Sequence, residues 1–186
     1  MKDKKALRKE VRARRASLSE SYRKSASKII AEKLFNEPVW QDAAVVYLYY
    51  GCQDEVLTEE IINAAFDAGK SVYLPRVISD TEMVFIRTDS MEGLVMNGLG
   101  IYEPEMPEVD LPKEIPELIV MPCVGVTRKG DRIGHGRGYY DRYLQDMKDI
   151  PLICPAFDCQ IVEDFKTDKT DRKVDMIITE SGVIRI

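Results

Sequence analysis

The sequence predicts an α/β protein with three layers, helix, sheet and helix, around an open sheet that is mostly parallel or mixed. Three observations carry that expectation. Ala43–Tyr50 is an apolar, β-rich run, followed by the polar loop Gly51-Cys-Gln-Asp-Glu55, a helical pattern through Ile61, Ile62, Ala65 and Phe66, and a second run from Ser71 to Pro75. Strand, loop, helix and strand in that order form the crossover unit of a parallel sheet. Second, Leu118–Met121 reads as a buried strand that leads through a glycine-rich loop to Tyr140, Tyr143, Leu144 and Met147 at helical spacing. Third, two more apolar runs, Pro151–Phe157 and Lys173–Thr179, supply later strands.

The elements follow in order. Residues 3 to 16 are rich in helix formers but have a thin apolar side of Ala6, Leu7, Val11 and Ala13, so this helix should dock on the body. Ser17-Leu-Ser19 breaks it, and Ser19 is a good N-cap for a second helix running to Phe35. Thr58 is placed to cap the helix after the first strand. Met83–Ile86 reads as a short strand, and Gly125–Asp131 as an irregular loop. Residues 104 to 116 contain Pro104, Pro107, Pro112 and Pro116 among acidic residues, so no regular element is expected there. Val183–Ile186 suits an edge strand.

At 186 residues, with 45% hydrophobic and 32% charged residues, a single domain over 1–186 is expected. The apolar runs are too short for a membrane span, and Met1-Lys-Asp-Lys-Lys lacks the apolar stretch of a secretory leader, which makes the cytoplasm the default. Cys52, Cys123, Cys154 and Cys159 form no CxxC pair and accompany a single histidine, which speaks against a zinc site of usual spacing. Charge is divided: residues 1–35, a basic helical arm, carry a net +8 and the remainder a net −13. An acidic body argues against broad nucleic-acid binding.

Chemistry concentrates in residues 132–143, where Gly134, Gly136 and Gly138 alternate with His135 and Arg137 and run into Tyr139-Tyr140-Asp141. Bare backbone lets N–H groups close on phosphate oxygens, and Arg128, Lys129, Arg132 and Arg137 add positive charge. Asp141 suits a divalent cation. The same residues also suit a flexible surface loop, since this is neither a Walker loop nor GxGxxG. Lys4, Lys5 and Arg8 read as a solvated basic face or as phosphate contacts. Glu55 reads as a carboxylate in the first turn of a helix or as a ligand group in a loop beyond a strand end. Asp175, between Val174 and Met176, is either an edge carboxylate or a paired, functional one.

Arg132-Ile-Gly-His-Gly-Arg-Gly-Tyr-Tyr-Asp-Arg-Tyr-Leu144, preceded by Met121-Pro and Gly125-Val, resembles the signature of the 5-formyltetrahydrofolate cyclo-ligase, or methenyltetrahydrofolate synthetase, family. Lys4-Lys-Ala-Leu-Arg8, Gln53-Asp-Glu55, Pro75-Arg76, the Gly100-Ile-Tyr-Glu-Pro104 segment and Asp171-x-x-x-Asp175 extend the likeness over nearly the whole chain. The resemblance implies a Rossmann-like sheet of the sugar-phosphate isomerase and CoA-transferase type. It implies ATP-dependent cyclisation of 5-formyltetrahydrofolate to 5,10-methenyltetrahydrofolate, with ADP and phosphate as products. ATP would be held by Lys4, Lys5, Arg8, Arg132, Tyr140 and the run Gly134, His135, Gly136, Arg137, Gly138 and Tyr139. That run would also meet the reduced folate, together with Tyr50 and Glu55, with Arg137 and Tyr139 at the reacting centre; the Gly-Ile-x-Glu-Pro segment would line the substrate cleft, or else form a turn into the proline-rich connection. Mg²⁺ would sit on Asp141 and Asp175, which requires the last major strand to run antiparallel to the strand at 118–122. A monomer is expected. The position of His135 varies in the family, and Lys166, Asp168 and Thr170-Asp171 stand where the family often has Pro, Glu and His-Asp. The rival reading is a nucleotide- or nucleic-acid-binding module without folate chemistry.

Overall fold

Alternation along each strand sorts its side chains onto two faces, and both faces are covered. In this computed structural model, residues 3–98, 100–107, 114–168 and 170–186 are described. Leu99 of the Gly-Ile-x-Glu-Pro region and residues 108–113 of the proline-rich connection lie outside them.

The basic arm forms α1 (Lys4–Ala16) and α2 (Glu20–Phe35), and the short α3 (Pro38–Asp42) leads into β1 (Val45–Tyr47). Next come α4 (Glu59–Asp67), β2 (Ser71–Val77), β3 (Met83–Arg87), β4 (Leu94–Met96) and β5 (Tyr102–Pro104). The glycine-loop region holds β6 (Leu118–Val120), β7 (Gly125–Thr127), β8 (Arg132–Ile133) and α5 (Tyr139–Tyr143). The chain closes with β9 (Leu152–Pro155), β10 (Ile161–Val162), β11 (Met176–Ile178) and β12 (Val183–Arg185).

Seven strands form the main sheet in the order β12-β11-β9-β6-β1-β2-β3. The five central ones are parallel, and β12 and β3 are antiparallel edges. Central strands buried on both faces read as continuous apolar runs, which is why β1, β6 and β9 stand out in the sequence. On one face Val46, Val72, Leu74, Val120 and Ile153 pack against α2 and α4 through Ile30, Leu34, Ile61 and Ile62. On the other, Tyr47, Tyr73, Ile119, Cys154 and Ile177 meet Leu144 and the half-buried Tyr140 and Tyr143. Stacked rings reinforce that side: Tyr47 lies 4.8 Å from Tyr73 and 4.6 Å from Phe85.

Three expectations need correction. The loop expected at 125–131 is a hairpin: β7 pairs antiparallel with β8 and parallel with β10, making a second, three-stranded sheet. The Thr127 hydroxyl, bonded by the amides of Lys129 and Asp131, closes its turn, a non-local ladder plus a side-chain turn that polar composition conceals. Thr58 precedes α4 but its side chain does not cap it. Instead its hydroxyl accepts from the Gly51 amide (2.8 Å) and donates to the Tyr49 carbonyl (2.5 Å), pinning the loop after β1. Ser19 does cap α2, accepting from the Tyr22 amide. Finally, α5 is only five residues long. Its positive end is accordingly small and adds little to the field beside the glycine loop.

The basic arm is fastened to the body. Leu7 and Val11 are buried against Val124, Ile133, Val162 and Phe165, a satellite core under the second sheet. That contact turns one side of α1 toward the carboxyl ends of the parallel strands.

Candidate active site

In open parallel sheets ligands collect beyond the carboxyl ends of the strands. Here the loops after β1, β6 and β9 come together at that edge. The loop after β1 folds back sharply at Gly51, where a Cβ would stand 2.0 Å from the Val56 carbonyl oxygen, so no other residue fits. Its Asp54 is gripped by Arg15 of α1, whose Nε and Nη2 lie 3.0 and 2.7 Å from the carboxylate. The Nη1 of Arg15 also donates to the Cys123 carbonyl after β6. Arg15 is 2% exposed. Sequence reasoning missed its role, although Leu7, Val11 and Arg15 at steps of four place an arginine on the apolar stripe.

The glycine loop divides two cavities. The smaller, about 260 Å³, is lined by Lys4, Arg8, Gly136, Arg142, Asp168 and Asp171, among others. The larger, about 850 Å³, is bounded by Tyr49, Tyr50, the Cys52–Glu55 loop, Glu103, His135, Arg137, Tyr139 and Tyr140. Arg132, Gly134, Gly138 and Asp141 line both. At Gly138 the backbone has φ +68°, and a Cβ would meet Arg142 Nη1 at 2.9 Å, so the last glycine serves conformation and space alike.

The cations differ in how they are held. Arg8 Nε donates to the Gly134 carbonyl at 2.8 Å, tying α1 to the loop. Lys4 reaches Asp168 at 2.7 Å and Asp171 at 2.5 Å. Partial burial of Lys4 opposes its charge, but the hydrogen bonds and fields of Asp168 and Asp171 more than offset that and raise its pKa. Lys5 is exposed and lines neither cavity. Arg132 is 7% exposed: its Nη2 pairs with Asp141 at 3.0 Å, its guanidinium lies 5.6 Å from the centre of the Tyr140 ring, and its Nε is buried without a partner among the described residues. Arg137, over half exposed, pairs with the still more exposed Asp80 at 2.8 Å. Such an exposed pair is worth little and is easily exchanged for a ligand.

In the larger cleft, Glu55 Oε1 lies 3.2 Å from His135 Nε2, and Glu55 Oε2 accepts from the Cys52 amide at 3.3 Å. The Tyr139 hydroxyl donates to the Ser79 carbonyl. Tyr140 turns its buried hydroxyl inward with no partner among the described residues; burial pushes its pKa well up, with the Arg132 charge opposing in part. The Tyr50 hydroxyl donates to Glu59, and burial together with that bond raises it to about 12.

Asp175 is not brought to this site. Strand β11 runs parallel to β9, and β9 parallel to β6, so the expected antiparallel orientation is reversed. Asp175 precedes β11 at the amino end of the sheet, is exposed, and accepts from the Leu152 amide at 2.8 Å. Of these two acids it is Asp171, four residues earlier, that lines the smaller cavity, together with Asp141 and Asp168, and the Arg172 amide beside it donates to Asp141 at 3.4 Å. Among the described residues no group of three or more His, Cys, Asp and Glu is placed to hold a metal alone. Of the three carboxylates on this pocket, Asp141 and Asp171 nevertheless fit Mg²⁺, which is commonly bound through one or two carboxylates with substrate phosphates and water completing its shell.

A parallel α/β sheet with a glycine-rich loop between a basic pocket and an apolar cleft defines a nucleotide-using enzyme. The 5-formyltetrahydrofolate cyclo-ligase family model matches residues 1–180. The cyclo-ligase of Escherichia coli K12 is 30% identical over 178 residues, 93% of this chain and 98% of that protein. The mouse cyclo-ligase is 30% identical over 192 residues, covering 96% and 94%. Among solved structures, the 5,10-methenyltetrahydrofolate synthetase of Aquifex aeolicus superposes with a TM-score of 0.84 at 31% identity, covering 98% of this chain and 92% of that one. That of Mycoplasma pneumoniae gives 0.76 at 27%, covering 96% and 99%. The chain belongs to the 5-formyltetrahydrofolate cyclo-ligase family.

Proposed function

We propose that the protein converts 5-formyltetrahydrofolate to 5,10-methenyltetrahydrofolate at the expense of ATP, with the triphosphate in the smaller cavity and the reduced folate in the larger. The observation that carries this assignment is the shared wall: Arg132, Gly134, Gly138 and Asp141 line both spaces, so a γ-phosphate and a formyl oxygen meet across the glycine loop.

The formyl oxygen attacks the γ-phosphorus, forming an O–P bond as the bond to ADP breaks. N10 of the folate then adds to the activated formyl carbon, loses its proton, and the former formyl oxygen departs with the phosphate. Phosphoryl transfer depends on positioning and charge neutralisation more than on covalent help. Lys4 and Arg8 meet the phosphates from α1, the loop amides close on them, and Arg137 leaves Asp80 to face the charge that develops in transfer. The buried Arg132 holds Asp141 in place and lends a fixed positive charge behind the loop. Tyr139 and Tyr140 flank the folate, with Tyr50 and Glu55 on the far side. Asp141 and Asp171 would hold Mg²⁺, which supplies neutralisation of the phosphate oxygens. Both cavities are lined by one chain, so a monomer suffices.

The test is the absorbance of methenyltetrahydrofolate, with ATP and Mg²⁺ omitted in turn. Product formation that needs both supports the assignment, and turnover without ATP would exclude it.

A further inference from the structure

One carboxylate in the larger cleft has no role in the chemistry above. Glu103 of β5 is 4% exposed, yet it lines the cavity. Its Oε1 accepts from the Val77 amide at 3.0 Å, while Oε2 has no protein partner among the described residues. The neighbouring cation does not neutralise it, since Arg76 donates instead to the Pro104 carbonyl at 2.6 Å. A buried carboxylate on a cavity wall with no cation paired to it among the described residues calls for donors from a ligand. Glu55, the other buried carboxylate of the cleft, is already engaged by His135 and the Cys52 amide.

Resting on the folate reading above, we propose that Glu103 is a specificity residue that recognises the 2-amino-4-oxopyrimidine edge of the pterin. That edge presents an amino N–H and the ring N3–H side by side, a pair of donors that a carboxylate accepts together. Val77, Met83 and Tyr102 beside Glu103 provide apolar surface for the ring faces. Charge also changes sign across the cleft. β5 packs toward β2, on one flank of the sheet, whereas Arg12 and Arg23 line the cavity from α1 and α2. The ring is therefore drawn to β5 and the anionic end of the folate to the helices, which fixes one orientation of the substrate.

Glu103→Gln keeps an oxygen for the Val77 amide but replaces an acceptor with a donor. Binding of 6-methylpterin, followed by its fluorescence, should weaken about 10–100-fold, as expected for loss of charged hydrogen bonds at a buried site. KM for the folate should rise in step, with KM for ATP unchanged. In the wild-type protein the 2-desamino analogue should bind at least about tenfold more weakly than 6-methylpterin, and Glu103→Gln should erase that difference. Normal pterin binding by Glu103→Gln alongside wild-type turnover overturns the proposal while leaving the folate assignment standing. Should the variant fail to fold, equal binding of the two pterins by the wild-type protein overturns it as well. A wild-type protein that neither binds pterin nor turns over 5-formyltetrahydrofolate overturns both.

Discussion

The two cavities beside the glycine loop are built on opposite principles. The smaller is a charge device: Lys4, Arg8, Asp168 and Asp171 reach it on side chains from a docked helix and a late loop. The larger is a shape device, framed by strand ends and by residues such as Tyr49, Pro122 and Glu103 that the main chain holds in place. One can therefore be weakened by removing a charge with little loss of fold, whereas damage to the other spreads into the core. Helix α1 spans both, with Lys4 and Arg8 at one end and Arg15 at the other.

The largest break in that contrast should come at the wall the cavities share. Asp141→Asn should lower kcat by about 10²–10³-fold, the scale of losing one preorganised electrostatic group, with a modest fall in melting temperature because the amide keeps an oxygen for Arg132 but not the charge. Collapse of the fold would make Asp141 a structural partner of Arg132 instead. On the shape side, Arg15→Ala should cost about 3 kcal/mol, since it leaves Asp54 without its buried partner. Denaturant unfolding measures that loss, and a rise in KM for folate exceeding that for ATP would tie Arg15 to the substrate loop.

A sharper comparison sets Asp171 against Asp175. Asp171→Asn should raise the Mg²⁺ concentration required for half-maximal turnover, whereas Asp175→Asn should leave it unchanged and cost about 1 kcal/mol of stability through the Leu152 amide. A reversed result in Mg²⁺ titrations would return the metal to Asp175. Smaller still is the pair of lysines: Lys4→Ala should raise KM for ATP several-fold and Lys5→Ala should not, as initial rates will tell.

The weakest effect is one of pH. Asp168 is lowered from 3.8 by its hydrogen bond to Lys4, so its contribution is complete above that value and disappears as the pH falls below it. Lys4 is raised above 10.5 and its contribution is lost only as the pH rises through that higher value. Docking of α1 should be level between these limits and loosen on the acid side. Hydrogen exchange of α1 amides reads this directly, and Lys4→Met should flatten the acid limb.

What could be read from residues alone was local or repetitive. The apolar runs of β1, β6 and β9, the Ser19 cap and the glycine alternation each signal through neighbours close in the chain. So did the family, because its signature is a continuous run of residues. Arg15 escaped notice for the converse reason: an arginine in a basic helix looks solvated until Asp54 is seen beside it, and for Glu103 the resemblance pointed to the cleft but not to its burial at the Val77 amide.

Sequence by itself determined the parallel sheet, the docked arm and the family, since periodicity, turn residues and motif spacing are properties of adjacent residues. Only the tertiary structure decided which of two acids four residues apart lines the smaller cavity, that residues 125–133 pair as a hairpin, and that two cavities share one wall. Those outcomes depend on strand direction and on contacts between residues far apart in the chain, where loop closure and core packing, not local preference, set the energy.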